Sequence, residues 1–294
     1  MPELPEVETI RSDLNKLIIS NQISDFSVLD FKNIWPDKKT LKSKLKNLLI
    51  KEIHRKGKLL IFYFSNSSLI LIIHLKMTGQ LIYQDKDHLL AGGHSLASQS
   101  FFQSIGGKLP NKHTRVIFSF SSFKKLYFND VRKFGYIKLI TKNDLEGLLK
   151  KFYGPEPLSD DFNILYLKKI FKNKKTSIKA LLLDQSKISG LGNIYVDEVL
   201  FIAKILPFRE PDSLSDSEIK NLYNAINKVI KKAIKYRGTT FSNYLDSSGK
   251  KGNYYNLLKV YDRKDKLCLN CKKEKIKKIR LVGRGTYYCS ACQS

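Results

Sequence analysis

Gly154-Pro155-Glu156-Pro157 separates two parts of the chain that have different hydrophobic periods. Proline lacks a backbone donor and restricts the residue before it, so this stretch interrupts regular structure. Before it, short apolar runs alternate with Ser, Asn, Gly and Asp clusters, which is typical of an antiparallel sandwich or barrel. After it, apolar residues recur every three to four positions, as in packed helices. The sequence therefore predicts a strand-rich part, a linker and a helical part.

The strand-rich part begins with a short amphipathic helix. Val7, Ile10, Leu14 and Leu17 are spaced to form one apolar stripe over 6–17. Runs rich in β-branched and aromatic residues predict strands at 59–64, 69–75, 81–83, 115–120, 125–128 and 136–140. Gly, Ser and Gln dominate 85–112, which is too long for a hairpin turn and is predicted to be a loop.

Helical spacing in the second part predicts helices at 164–171, 178–183, 195–202 and 217–236. Ser215 and Glu218 have the S-x-x-E spacing of a capping box, which predicts the start of the last helix. The whole pattern predicts an α+β multidomain protein, in which an antiparallel β-sandwich or barrel flanked by helices precedes a helical domain.

The composition favours a polyanionic partner. Lys and Arg number 53 against 27 Asp and Glu, which gives the 294 residues a formal charge of +26. Nucleic acid is the first hypothesis for such a charge. The alternative is an AT-rich genome that encodes Lys at many tolerant positions, where the side chains are only solvated surface.

Membrane insertion and secretion are not expected. The longest apolar runs are far shorter than the ~20 residues that cross a bilayer. The N-terminus is rich in Pro and Glu and lacks the basic and apolar segments of a secretory signal. The sequence therefore predicts a cytoplasmic, nucleoid-associated protein.

The most specific local motif is Cys268-x2-Cys271-x17-Cys289-x2-Cys292. Two such knuckles are typical of a four-cysteine zinc ribbon, and a reduced compartment favours metal binding over disulfides. Four thiolates complete the tetrahedron, so one Zn²⁺ would be structural; four unrelated free cysteines are the alternative. The inferred hairpin between the knuckles carries positive charge that suits phosphates, at Lys277, Lys278, Arg280 and Arg284.

A second motif, Lys187-Ile188-Ser189-Gly190-Leu191-Gly192-Asn193-Ile194-Tyr195, lies between two predicted helices. Its glycines allow a tight turn and a close approach of backbone amides to a phosphate, while Asn193 can cap the next helix and donate to an oxyanion. The motif favours a helix-turn-helix variant that grips a DNA backbone. An ordinary turn between helices is the alternative.

The third motif is the start of the chain, Met1-Pro2-Glu3-Leu4-Pro5-Glu6-Val7-Glu8-Thr9. Removal of Met1 before the small Pro2 would expose a secondary amine, and α-amino groups have a pKa of about 8. Attack of this amine on a sugar C1′ carbon gives an iminium cation, and Glu3 could act as general acid or base. The alternative is an ordinary helix start with acidic residues that complement the dipole.

These three motifs, in this order, resemble the formamidopyrimidine-DNA glycosylase family, and the resemblance covers essentially the whole chain. It implies that the amine of Pro2 is the nucleophile and that Glu3 donates and accepts protons. It also implies that Lys58, in Arg55-Lys56-Gly57-Lys58, assists β-elimination, and that Arg284 at the finger tip assists δ-elimination.

The resemblance further implies that Met77, Arg132 and Phe134 fill the space left by an extruded base. An apolar wedge then replaces the lost stacking, and Arg132 donates to the orphaned partner base. Without the resemblance, Met77 and Phe134 are typical core residues.

Other roles follow from the same resemblance. The implied phosphate contacts are His113, Asn193 and a lysine of 172–175, of which Lys175 is the leading candidate. Glu198 matches an acidic residue near the base pocket, and Thr239 and Thr240 open the loop that covers the base. The chain departs from the family in the length of 85–112 and at 249–254, where a common Pro is absent, so the base-covering loop is expected to differ.

The leading hypothesis is a bifunctional DNA glycosylase and AP lyase of base excision repair. It would excise oxidised purines (8-oxoguanine and formamidopyrimidines) from damaged double-stranded DNA through a proline Schiff base and β,δ-elimination. The alternatives are an endonuclease VIII-like enzyme for oxidised pyrimidines and a non-catalytic zinc protein that binds damaged DNA. We expect a monomer with a sandwich domain at 1–150, a helix-two-turn-helix domain at 151–266 and a zinc finger at 267–294.

Overall fold

The computed structural model describes residues 1–94, 101–121, 123–239 and 254–294. The chain divides into two compact units. The first comprises Met1–Leu148 with Arg237–Asn253, and the second comprises Leu149–Tyr236 with Tyr254–Ser294. The cysteine-containing C-terminal part thus belongs to the same unit as the helices. The domain limits at 150 and 266 stay predictions.

The strand-rich unit contains helices α1 (Leu4–Leu17), α2 (Lys38–Leu45) and α3 (Phe101–Ser104), and α4 (Lys142–Phe152) follows its last strand. Its described strands, in chain order, are β1 (Ile23–Val28), β2 (Ile34–Trp35), β3 (Ile50–Lys56), β4 (Leu59–Phe64), β5 (Leu69–His74), β6 (Gly79–Gln84), β7 (Leu89–Gly93), β8 (Thr114–Phe120), β9 (Lys125–Asp130) and β10 (Tyr136–Thr141). The strand positions predicted from the sequence agree with β4, β5, β6, β8, β9 and β10.

Two five-stranded sheets form a sandwich. Their spatial orders are β1-β8-β9-β6-β7 and β2-β10-β5-β4-β3, and neighbours are antiparallel except for the parallel pair β2 and β10. Alternate residues of each strand face one shared core. This core contains Phe26, Phe118 and Phe128 from the first sheet and Phe62, Leu71 and Ile73 from the second. The predicted antiparallel β-sandwich is confirmed.

Strand β7 lies inside the stretch that the sequence predicts to be a loop, so that prediction was wrong for 89–93. Its glycines are poor strand formers, which hid the strand from sequence analysis. The structure shows why glycine is required there: a Cβ added to Gly92 would lie 2.4 Å from Cγ1 of Ile10. The missing side chain therefore lets β7 approach helix α1 closely.

The second unit contains α5 (Ile164–Phe171), α6 (Ile178–Leu183), α7 (Asn193–Ala203) and α8 (Asp216–Lys235), followed by the hairpin of β11 (Lys277–Leu281) and β12 (Arg284–Tyr288). All four predicted helices are present. The capping box is confirmed too, because Ser215 N–H donates to Glu218 Oε2 (2.8 Å) and Glu218 N–H donates to Ser215 Oγ (3.3 Å). Within the described ranges, no helix has the length and apolar character to cross a bilayer.

The Gly154–Pro157 stretch is packed against the glycine motif of the second unit. Gly154 N–H donates to the Gln185 carbonyl (2.9 Å), and Ser189 Oγ donates to the Gly154 carbonyl (2.8 Å). A Cβ on Gly154 would lie 2.2 Å from the Lys187 carbonyl oxygen. The stretch that breaks the hydrophobic period therefore also holds the turn between α6 and α7.

Two adjacent carboxylates on α7 hold distant segments of the second unit. Asp197 forms a fully buried ion pair with Lys179 (2.6 Å) and accepts the backbone N–H of Tyr287 in β12 (2.9 Å). Glu198, which is 1% exposed, accepts the backbone N–H groups of Lys259, Val260 and Tyr261 at 2.8 to 3.0 Å. Helix α7 thus organises the chain that leads to the cysteine cluster.

Asp197→Ala is expected to destabilise the second unit, because Lys179 loses its carboxylate partner in a fully buried site. We expect the free energy of unfolding, measured by urea titration, to fall by about 3–5 kcal/mol. The double variant Lys179→Met with Asp197→Asn removes both charges but keeps an oxygen that can accept the Tyr287 N–H, so it should recover most of this loss. Equal losses in the single and double variants would contradict a charge-based role.

Candidate functional site

The start of helix α1 is buried. Pro2 directly precedes the N-cap residue Glu3, which is 3% exposed, and Pro5 lies in the first helical turn. The backbone N–H of Glu3 donates to Oε2 of Glu6 at 2.9 Å. Chain termini are usually frayed, but this hydrogen bond fixes the backbone next to Pro2.

Glu6 also binds the segment that follows α8. Its Oε1 accepts the backbone N–H of Thr239 (2.7 Å) and the Thr239 hydroxyl (3.1 Å). Gly238 has a φ of +81°, and a Cβ there would lie 2.3 Å from Glu6 Oε1. Glu6 therefore connects the residue after Pro2 to predicted base-pocket residue Thr239, whereas Thr240 lies outside the described residues. Sequence analysis missed Glu6, although Glu3 and Glu6 have capping-box spacing.

Lys58 lies in the tight turn between β3 and β4 and is 5% exposed. Arg55 donates to the Gly57 carbonyl (3.1 Å) and to Glu8 of helix α1 (2.9 Å). Arg11 forms a second salt bridge with Glu8 at 2.6 Å. Burial alone would raise the pKa of Glu8, but the two guanidinium groups hold it below its usual value. Glu8 is thus an ionised carboxylate that joins α1 to the turn carrying Lys58. Sequence analysis did not identify Glu8 as a site residue.

His74, at the end of β5, lies close enough to Lys58 to interact with its charge. Burial, reinforced by the charges of Lys76 and Lys58, lowers the pKa of His74 to about 3. Its Nδ1 accepts the backbone N–H of Lys76 at 2.9 Å, so the neutral ring carries its proton on Nε2. His74 therefore supplies a neutral donor near two lysines. Its residue type alone does not mark it in the sequence; its burial in the fold distinguishes it.

Arg132 contacts both Met77 and Phe134. Arg132 Nη1 lies 3.3 Å from Met77 Sδ, and the Arg132 guanidinium carbon lies 4.6 Å from the Phe134 ring centroid. Met77 is 45% exposed and Phe134 is 49% exposed, so the alternative interpretation of both as core residues is wrong. Asp130 connects the segment that carries Met77 to the segment that carries Phe134. It accepts hydrogen bonds from the Thr78 hydroxyl and from Gly135 N–H (2.7 Å).

His113 lies at the start of β8, beside Asp130. Its carbonyl accepts the Asp130 N–H at 2.9 Å, and its ring is partly exposed. Burial, with the charges of Lys112 and Arg115, lowers the pKa of His113, so the ring is neutral at pH 7. The predicted phosphate contact of His113 would therefore be a neutral hydrogen bond.

Asn193 is the first residue of α7 rather than its cap, so the predicted capping role was wrong. Gly192 occupies the N-cap, and Asn193 Nδ2 donates instead to the Gly285 carbonyl at 3.0 Å. Its Oδ1 is buried and has no hydrogen-bond partner among the described residues. Lys175 and its neighbours in 172–175 are all exposed before α6, so the choice among them stays open.

Glu198 and Arg284 have different surroundings in the second unit. The Glu198 carboxylate is occupied by the amides of 259–261, and burial raises its pKa despite these donors. Arg284 is exposed at the first position of β12, next to the two-residue turn Val282-Gly283, whose φ values are +51° and +71°. The proposed base-pocket role of Glu198 and the elimination role of Arg284 stay predictions.

The four cysteines form one cluster. Cys268, Cys271, Cys289 and Cys292 have sulfur atoms that all lie within 4.8 Å of one another, and none is in a disulfide. Two of the sulfur pairs are 3.8 Å apart. A tetrahedron with metal–sulfur bonds of about 2.3 Å has edges of about 3.8 Å. The cluster therefore has the size and the donor set that hold a metal ion.

Comparisons with known proteins agree with this arrangement. The family models "Formamidopyrimidine-DNA glycosylase N-terminal domain" and "Formamidopyrimidine-DNA glycosylase H2TH domain" match residues 1–137 and 153–244. The formamidopyrimidine-DNA glycosylase of Desulforamulus reducens is 40% identical over 296 residues, which cover 100% of this chain and 99% of the relative.

Solved structures of Lactococcus lactis Fpg have the same fold. One contains a mutant with DNA that carries Fapy-dG, and another contains the wild-type protein with DNA that carries an oxidised pyrimidine. Each is 35% identical, has a TM-score of 0.85 and covers 100% of both chains. The chain is thus a DNA glycosylase with AP lyase activity that serves base excision repair. It belongs to the formamidopyrimidine-DNA glycosylase family.

The buried His74 is expected to make stability depend on pH. Below its ordinary pKa of 6.5, the unfolded chain binds a proton on His74 that the folded chain does not bind until about pH 3. The free energy of unfolding should therefore fall as the pH decreases through this window, by up to ~1.4 kcal/mol per unit from this group. Urea titrations between about pH 7.5 and about pH 5.5 should give a shallower slope for His74→Asn. The same slope in both proteins would contradict the buried neutral ring.

Proposed function

We propose that the protein excises oxidised purines, such as 8-oxoguanine and formamidopyrimidines, from duplex DNA and then cleaves the strand at the abasic site. The position of Pro2 and Glu3 at the buried start of α1 carries this proposal. Glu6 fixes the backbone beside Pro2, and Glu8 ties the same helix through Arg55 to the turn that carries Lys58. A nucleophile, a proton carrier and a cation are thus tied to one rigid helix.

The proposed reaction starts when removal of Met1 exposes the secondary amine of Pro2. The amine forms a bond to C1′ of the damaged nucleotide, while the glycosidic bond breaks and its electron pair leaves with the base. The nitrogen of Pro2 then loses its proton, which neutralises the departing base anion. Glu3 transfers a proton to the ring oxygen as the sugar opens. The product is an iminium cation between the nitrogen of Pro2 and C1′.

Strand cleavage follows from the electron demand of this iminium cation. Loss of a C2′ proton expels the 3′ phosphate by β-elimination, which the positive charge of Lys58 assists by stabilising the leaving anion. A second elimination, assisted by Arg284, expels the 5′ phosphate. We propose that the product is a one-nucleotide gap with phosphate at both ends.

The DNA contacts that we propose use both units. Met77, Arg132 and Phe134 fill the vacated stack, and the contacts of Arg132 with the other two, together with their exposure, support this role. His113, Lys175 and Asn193 contact phosphates. Glu198, Thr239 and Thr240 serve the base pocket.

Oxidised pyrimidines are a second candidate substrate class, as in the endonuclease VIII-like alternative. The specific observation is that the L. lactis relative was crystallised with DNA containing an oxidised pyrimidine. Strand cleavage of duplexes that carry 8-oxoguanine, a formamidopyrimidine or an oxidised pyrimidine will rank the two classes.

We further propose that the cysteine cluster holds one structural Zn²⁺, since four sulfurs at tetrahedral spacing leave no open position for chemistry. The ion would fix the hairpin of β11 and β12, whose exposed Lys and Arg side chains suit the phosphates of damaged double-stranded DNA. We propose that the protein acts as a monomer in the cytoplasm, in association with the nucleoid.

Borohydride trapping on an 8-oxoguanine duplex tests the nucleophile. We expect wild-type protein to form a covalent adduct, because borohydride reduces the iminium between Pro2 and the sugar. Pro2→Gly should form less adduct, since its primary amine can still form an imine but lacks the pyrrolidine ring that restricts the backbone. Insertion of a lysine between Met1 and Pro2, which locks the Pro2 nitrogen in an amide, should abolish the adduct at this nitrogen. Tight DNA binding without any adduct in the wild-type protein would contradict the enzyme and favour the non-catalytic alternative.

Replacement of Cys268 tests the metal site. We expect Cys268→Ser to lose the bound zinc, measured by atomic emission, and to lose DNA binding, because the finger unfolds without its metal. Ser290→Ala, an exposed position between Cys289 and Cys292, is the matched control and should keep both. Zinc-free Cys268→Ser that binds DNA as tightly as wild type would show that the structural-zinc assignment is wrong.

A further inference from the structure

An exposed tryptophan and two lysines surround Tyr136 on the strand-rich unit. Trp35 in β2 pairs with Lys138 in β10, and Tyr136 lies on the same face of β10 because alternate residues share a face. The intervening Ile137 points into the core instead. We call Trp35, Lys76, Tyr136 and Lys138 the aromatic–lysine surface.

The four side chains contact one another. Lys138 Nζ lies 4.6 Å from the Trp35 ring centroid and 5.3 Å from that of Tyr136. Lys76 Nζ also lies over the Tyr136 ring, 5.7 Å from its centroid. The two aromatic rings meet edge to face with centroids 6.5 Å apart. Apolar ring faces and ammonium groups are thus presented together.

This arrangement is not explained by stability alone. Trp35 is 46% exposed, and cation–π contacts at exposed sites contribute only about 0.5–1 kcal/mol each. Neither Lys76 nor Lys138 forms a salt bridge within the described part of the chain, whereas Lys42 and Lys133 of the same unit pair with Asp25 and Asp30. The surface therefore keeps two positive charges available beside exposed aromatic rings.

The aromatic–lysine surface is continuous with the residues proposed to enter the DNA stack. Lys76 directly precedes Met77, and Tyr136 follows Phe134 by two positions. Lys138 lies four residues beyond Phe134, and four residues of fully extended chain span at most about 14 Å. This upper limit corresponds to about four base pairs, since the rise of duplex DNA is about 3.4 Å per pair.

We propose that the aromatic–lysine surface binds the sugar–phosphate backbone of the duplex within about four base pairs of the extruded nucleotide. The proposal rests on the proposed glycosylase function and extends its DNA interface. Lys76 and Lys138 neutralise phosphates, while the rings of Trp35 and Tyr136 cover deoxyribose. The surface reads no base edge, so it strengthens binding without regard to the flanking sequence.

Trp35 is the single tryptophan of the chain, so its fluorescence reports this surface directly. The probe is a duplex with a tetrahydrofuran abasic analogue, which binds but is not cleaved at a glycosidic bond. We expect the duplex to change Trp35 fluorescence. Moving the lesion to within about one base pair of one end, and then of the other, should abolish the change for one of the two duplexes, because the backbone no longer reaches the surface.

Salt dependence tests the charges. The slope of log affinity against log salt should fall by about 0.9 for Lys138→Ala, and by about the same amount for Lys76→Ala, because each loses one phosphate contact. Lys138→Arg should keep the wild-type slope. Lys86→Ala is the matched control, because Lys86 also lies over an exposed ring, that of Phe123. Both residues lie at the end of β6 and β9 that is opposite the end next to Met77. The slope for Lys86→Ala should not change.

Unchanged slopes for both lysine variants, with Trp35 fluorescence unaffected by every duplex, would overturn the proposal. Borohydride trapping by the wild-type protein on an 8-oxoguanine duplex reports the proposed function separately. Normal trapping together with unchanged slopes and an unresponsive Trp35 rejects only the aromatic–lysine surface. Absence of trapping rejects the glycosylase mechanism itself.

Discussion

The carboxylate of Glu6 is the contact on which the proposed active site depends. A nucleophile at the second residue of a chain would normally fray, and its reaction geometry would be lost. Glu6 prevents this by accepting the backbone N–H of Glu3 with one oxygen and the N–H of Thr239 with the other. These two hydrogen bonds of Glu6 therefore fix the start of helix α1, although it lies at the end of the chain. Glu8 extends the same principle to the Lys58 turn through Arg55.

The second unit uses carboxylates in a similar way. Asp197 and Glu198 are consecutive residues of α7, and each holds backbone amides from a segment far away in sequence. Asp197 reaches Tyr287 in the hairpin, and Glu198 reaches the chain that precedes the cysteine cluster. The buried carboxylates of Asp197 and Glu198 are tolerated because both accept hydrogen bonds, and Asp197 is also ion-paired. Helix α7 thus positions the basic hairpin that carries Arg284.

Local patterns predicted much of this molecule, and long-range contacts account for what they missed. Period-two runs located strands such as Leu59–Phe64, and the paired cysteine spacing located the cluster. Strand Leu89–Gly93 was missed because its glycines are explained only by the approach of Ile10. Glu6 and Glu8 were missed as site residues because their partners lie far along the chain. The exposure of Met77 likewise follows from the fold and not from its residue type.

The proposed nucleophile is the nitrogen of a terminal proline that is fixed at the start of α1. Mass spectrometry of the borohydride-trapped adduct, after digestion with a protease and a nuclease, identifies the residue that attacked the damaged nucleotide. We expect the sugar remnant to be attached to the nitrogen of Pro2, on an N-terminal peptide that lacks Met1. A remnant attached instead to a lysine such as Lys58, or to a peptide that retains Met1, would contradict this assignment.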